Sequence, residues 1–162
     1  MDWRTYLYPE QPVWNDKILV SYEEKMGIAF PESYKETVAQ HQGNIPPKNI
    51  IKYFDGRKFN LTSMGPLFHF IENDPQFESY NIYNNFLVYK DRVPEKVIPF
   101  SEDPGGFQIA FDFRKTPGDP PVVLVNSDAN KPENYLIKIG DNFEAFLQNL
   151  LSDEDLEEHG FH

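Results

Sequence analysis

The chain has 162 residues, no cysteine and a formal charge of −11, from 26 acidic and 15 basic side chains. That length fits one domain, and without cysteine there is no disulfide framework, thiolate zinc site or cysteine nucleophile. Lysine and arginine occur singly or as the pairs Arg57-Lys58 and Arg114-Lys115, so direct binding to a phosphate backbone is not expected.

With 40% hydrophobic and 15% aromatic residues the chain can bury an ordinary core. Met1 to Gln11 carries Asp2 and Glu10 and no apolar run of signal-peptide length. No stretch approaches the roughly 20 apolar residues of a membrane span. A cytoplasmic protein is expected. The negative charge either serves solubility or attracts and orients a basic partner.

Trp14, Ile18, Tyr22 and Met26 recur every four residues and lay one stripe on a helix that Gly27 ends. Pro31 suits the first turn of a second helix, which runs to about His41 and stops at Gly43, with Tyr34, Val38 and His41 facing inward. From Ile50 the periodicity changes. Asp55-Gly56, between Ile50-Ile51-Lys52-Tyr53-Phe54 and Lys58-Phe59-Asn60-Leu61, predicts a hairpin and the start of the sheet. Leu67 to Ile71 reads as another strand or as a bridge to the next element. Over Asp74 to Tyr89 the apolar positions fit a helix, although Asn81, Asn84 and Asn85 weaken it.

The second half reads as β structure. Val97 to Phe100 is a short strand, Pro104-Gly105-Gly106 a turn, and Phe107, Ile109, Phe111 and Phe113 alternate with more polar positions. Val122 to Val125 predicts a central buried strand, and Tyr135 to Ile139 one more. Asp141 or Asn142 can cap a last helix carrying Phe143, Phe146, Leu147, Leu150 and Leu151. Asp153 to Glu158 places five acids in six positions. Their repulsion predicts a solvated or frayed acidic tail over 153–162, behind a single domain over 1–152.

This order of elements resembles the SUKH superfamily, which includes the yeast Smi/Knr cell-wall regulators and many bacterial immunity proteins. The likeness rests on Tyr22-Glu23-Glu24 through Gly27, Phe30-Pro31, Tyr34-Lys35 and His41-Gln42-Gly43. It continues through Val97-Ile98-Pro99-Phe100, Asp103, the Gly105-Gly106 turn, Phe107 to Asp112 and Phe143 to Leu147. Phe30 stands where members commonly have leucine, and Gln42-Gly43 replaces most of a glycine-rich ending. The resemblance implies an α+β fold, with a curved, mostly antiparallel sheet flanked by N-terminal helices and a C-terminal helix. It further implies no enzyme activity and, in bacteria, an antitoxin that neutralises a cognate toxin domain, often a nuclease.

The residues themselves offer little chemistry. There is no dinucleotide fingerprint, Walker sequence or Gly-x-Ser-x-Gly elbow, and Ser63, Ser101 and Ser127 have no activating context. His41, His69, His159 and His162 form no zincin pair, and any metal held by His159, His162, Glu157 and Glu158 would be adventitious. No cofactor is expected. Glu102 and Asp103 precede the glycine turn and Asp112 follows it, so an acid–base pair is conceivable, but turn formation and solvation explain them more simply.

A binding role fits better. The candidate partner contacts are Glu72, Asp74, Glu78, Glu102, Asp103 and Asp112, with Tyr80, Tyr83 and Trp3 as anchors. The plain alternative is that these aromatics build the core. The leading expectation is an immunity protein whose acidic surface occludes the active site of a basic toxin. A regulatory scaffold without a toxin partner is the alternative, and a small hydrolytic enzyme the third. Oligomeric state is not legible.

Overall fold

In the computed structural model, which describes residues 2–129, 131 and 135–158, helix α1 (Asp16–Met26) begins where Asn15 accepts from the Lys17 N–H at 3.0 Å. It ends at Gly27, whose φ of 72° suits glycine and whose N–H returns to Glu23 O. The helix buries Leu19, Tyr22 and Met26. Pro31 sits one position before α2 (Glu32–His41), as its cap, and α2 buries Tyr34 and Val38. Gly43 comes next at φ 80°, pressed so closely on the Tyr8 ring that a Cβ would lie 2.9 Å from it.

Strands β1 (Ile50–Phe54) and β2 (Phe59–Ser63) pair antiparallel with Phe54 opposite Phe59. Asp55 Oδ1 accepts from the N–H groups of Arg57 and Lys58 and shapes the connection. The hairpin forms as expected, but it is a separate two-stranded sheet rather than the start of the main one. Leu67 to Phe70 is buried without being a strand; Phe68 N–H donates to Phe100 O, and His69 forms an isolated bridge with Asn81. The helix expected over 74–89 divides into a 3-10 turn, Glu78–Tyr80, and α3 (Ile82–Tyr89).

The main sheet has β3 (Val97–Glu102), β4 (Gln108–Asp112), β5 (Val122–Val125) and β6 (Leu136–Gly140), in that order and all antiparallel. The β5 run is interior and wholly buried, as its continuous β-branched sequence requires. Ile98, Phe100, Ile109, Phe111, Val122 and Leu124 share one face and enter the main core. Val97, Ala110, Val123 and Val125 face the other way and cluster with Val93. Helix α4 (Phe143–Asn149), capped by Asn142, lays Phe143 and Phe146 into the main core.

Tyr34 is fully buried among the rings of Phe30, Phe100, Phe111 and Phe143. Its hydroxyl has no hydrogen-bond partner among the described residues, and burial pushes the phenol well above its usual range. The molecule is thus α+β, with helices packed on antiparallel sheets.

Four acids of the C-terminal run, Asp153, Glu154, Glu157 and Glu158, are exposed to solvent. Asp153–Glu158 forms a short helix, α5. Ser152 Oγ accepts from the Asp155 N–H at 3.1 Å, and Asp155 Oδ2 accepts from the Ser152 N–H at 2.9 Å, a reciprocal cap. Lys48 pairs with Asp155 at 2.9 Å. Acids in a first helical turn also meet the positive end of the helix dipole, which offsets part of their mutual repulsion.

Candidate protein-binding cleft

His69 and Asn81 close a loop that carries three of the expected contact acids. His69 N–H donates to Tyr80 O at 2.9 Å, and Ile82 N–H donates to His69 O at 3.0 Å. Inside the loop, His69 Nε2 lies 2.7 Å from Phe77 O, and the Ile71 N–H lies 3.1 Å from Nδ1. A carbonyl only accepts and an amide N–H only donates, so the ring is neutral with its proton on Nε2. Burial, the dominant influence, holds its pKa below the usual histidine range.

Asn81 Nδ2 donates to Tyr22 Oη at 3.1 Å and to Ile71 O at 3.0 Å, while its Oδ1 caps α3 through the Asn84 N–H at 2.9 Å. Asn73 makes the bend at φ 61°, a conformation asparagine tolerates. Asp74 Oδ1 accepts from Gln76 N–H at 3.2 Å, and its Oδ2 accepts from Tyr8 Oη at 2.7 Å. The Tyr8 bond holds the Asp74 carboxyl below its usual range, and burial together with Asp74 pushes the Tyr8 phenol far up. The result is a compact loop whose ends are tied and whose interior is filled by its own side chains.

Between this loop and the start of α3 lies a cleft of about 520 Å³. Glu72, Asp74 and Glu78 line it, together with Tyr22, Tyr83 and Asn84 among others. Tyr83 stacks on Tyr22 at 5.2 Å and on Phe86 at 5.9 Å, and Lys25 stands 5.1 Å over the Tyr83 ring. Glu72 and Glu78 are exposed. Carboxylates on a fixed loop beside a ring wall can receive a guanidinium or ammonium from another protein, the rings supplying apolar area and the acids charge-assisted hydrogen bonds.

Four of the nine expected contact residues, Glu72, Asp74, Glu78 and Tyr83, therefore meet in one cleft. Tyr80, Glu102 and Asp103 line a different groove of about 420 Å³ with Tyr6 and Pro104. Asp103 is only 8% exposed. Its Oδ1 accepts from the N–H groups of Gly105 and Phe107 and its Oδ2 from Thr62 Oγ1, so the carboxylate is committed to holding the turn against the hairpin. Burial raises the Glu102 pKa, against the lowering effect of the Gln108 amide. Asp112 lies at the end of β4 and is held by Arg114 through two bonds of 2.8 Å, which depress its pKa. Trp3 stacks on His41 at 4.5 Å, away from these acids.

Tyr22, Asn81 and Asn84 belong to the cleft although the sequence alone does not mark them as contacts. Along the chain Tyr22 looks like helix stripe, and the asparagines look like helix breakers. His159 and His162 lie outside the described residues. Among the described residues no group of three histidines and acids is placed to hold a metal ion, and no helix is long and apolar enough to cross a membrane.

Neither the curated proteins nor the solved structures contain a match to this chain. The family model described as SMI1 / KNR4 family (SUKH-1) matches residues 14–149, a span from the approach to α1 through the end of α4. The chain belongs to the SMI1 / KNR4 family of the SUKH group.

Proposed function

We propose that this protein is a non-catalytic binding module, an immunity protein that neutralises a cognate, basic toxin domain in the cytoplasm by covering its substrate site. The observation that carries this reading is the acid-lined, aromatic-walled cleft on a loop locked by His69 and Asn81. A preorganised loop loses little entropy on binding, so its carboxylates contribute more of their interaction to affinity. The net charge of −11 extends the same attraction to long range and accelerates encounter with a positively charged partner. A nuclease is the natural class of target, because its substrate cleft is basic and acid side chains can stand where phosphates would.

In this reading Glu72, Asp74, Glu78 and Tyr83 form the centre of the contact, and Tyr80, Glu102 and Asp112 belong to surrounding surface. Asp103 supports the turn from within. Co-expression with the toxin domain encoded beside the gene tests it: protection of the cells and a stable complex support the proposal, whereas no complex and no protection contradict it. Family membership also favours a second reading, an intracellular regulatory scaffold of the Smi/Knr kind, which would use the same cleft on a cellular protein. That reading gains if no toxin gene is adjacent and the bound partner is a host regulatory protein.

A further inference from the structure

The outward face of the β1–β2 hairpin is apolar where water demands polarity. Ile51 and Tyr53 point into or against the main core, so the alternate positions Lys52 and Phe54 face out, opposite Leu61 and Phe59. Phe54, Phe59 and Leu61 remain 47%, 56% and 38% exposed. The two phenylalanine rings meet edge to face at 5.2 Å, and Lys52 Nζ lies 4.6 Å over Phe59. Cross-strand contact recovers only part of the cost of leaving these groups in water. No strand lies beyond β2 in its sheet, among the described residues, so its outer edge is open to pairing.

The charge on this hairpin is opposite to that of the chain. Arg57 and Lys58 stand in the connection, and neither is in an ion pair among the described residues. Asp55 is the sole acid between positions 50 and 63. Its oxygens are already engaged by the N–H groups of Arg57 and Lys58 and by Asn60 Nδ2. The connection thus offers two cations beside bare aromatic rings.

We infer that the β1–β2 hairpin is a second docking surface, for an extended acidic segment of another protein with apolar side chains at alternate positions. Such a segment adds to the free edge of β2, covers Phe54, Phe59 and Leu61 with its apolar side, and brings carboxylates to Arg57 and Lys58. Its chemistry is the reverse of what the acid cleft takes, so the two surfaces do not compete for one partner. A second copy fits poorly, because a symmetric hairpin-to-hairpin contact sets like charges against each other. An anionic bilayer is opposed by the net charge of −11.

The test is fluorescence anisotropy of the full chain with a labelled peptide of about ten residues alternating glutamate and valine, beside a matched lysine–valine peptide. Phosphatidylglycerol vesicles and sedimentation of the protein alone cover the other occupants. The expected result is saturable binding of the glutamate peptide at the hairpin, whereas any binding of the lysine peptide is unaffected by substitutions there. Binding of the glutamate peptide should weaken at least about tenfold in Phe54→Ser/Phe59→Ser and in Arg57→Glu/Lys58→Glu, both melting like the parent. No binding of the glutamate peptide, equal hairpin-dependent binding of the lysine peptide, hairpin-dependent vesicle binding or hairpin-dependent dimerisation would each overturn the inference.

Discussion

Tyr8 donates its hydroxyl proton to Asp74 Oδ2 at 2.7 Å, across 66 positions of sequence, and so fastens the segment before α1 to the rim of the acid cleft. Tyr8 also meets the rings of His69 and Phe77 edge to face, within the same loop. Tyr8→Phe keeps the ring contacts and removes the bond. The expected cost is about 1 kcal/mol of stability, read from denaturant midpoints, and an upward move of the Asp74 pKa, read by carboxyl NMR.

The loop and the end of α2 carry a shared sensitivity to pH. Burial places the pKa values of His69 and His41 below the ordinary 6.5. Just beneath that value the unfolded chain therefore binds protons that the folded chain refuses. Their stabilising contribution is complete above pH 6.5 and is lost as the pH falls below it. Asp74, whose pKa is depressed, adds a separate loss as the pH falls through and below its ordinary 3.8. Denaturant midpoints should decrease between about pH 7.5 and about pH 5.5, and His69→Gln should flatten part of that slope.

Much of the fold was legible because its elements obey local rules. Asn142 caps, Gly27 terminates, and the β-branched run of β5 becomes an interior strand. What escaped depends on contacts distant in sequence or on position within an element. Asn81 has poor helix propensity inside a helix but stabilises α3 from the cap, and Asn85 is buried with its amide donating to Ser79 O and Asn81 O. The acids after Ser152 repel one another in a coil, yet Asp155 completes a reciprocal cap and meets Lys48. For the cleft, the acid identities of Glu72, Asp74 and Glu78 were visible. Tyr83 was visible as a candidate anchor, but the Tyr22 side of the wall was not, because a tyrosine in a helix stripe looks like core until the opposing loop is placed.

Asn81 joins three parts of the cleft at once: α1 through Tyr22, the loop through Ile71, and α3 through its cap. Asn81→Ala should cost about 2 kcal/mol, the sum of a lost cap and a lost buried bond. Faster amide exchange should be confined to residues 71–84 if the asparagine has this role. Uniformly faster exchange would place its contribution in global stability instead.

Gly140 marks the end of β6 for a packing reason. A Cβ there would fall 2.6 Å from Phe146 Cβ and 2.8 Å from Phe146 Cα, so α4 can approach the strand only over a glycine. Gly140→Ala should destabilise by about 3 kcal/mol, whereas Gly118→Ala, with open space around its Cβ, should change the midpoint little. Thermal melts of both variants compare them.

The proposed binding of a basic partner through the acid cleft is tested most directly by calorimetric titration of a basic toxin domain encoded beside the gene into the parent and into Glu72→Lys/Glu78→Lys, at low and high salt. Both side chains are exposed, so the variant should retain the parent's melting temperature. The predicted result is tight binding by the parent that weakens with salt, and a loss of about a hundredfold or more in the variant. Equal affinity of parent and variant for the toxin domain would contradict the account.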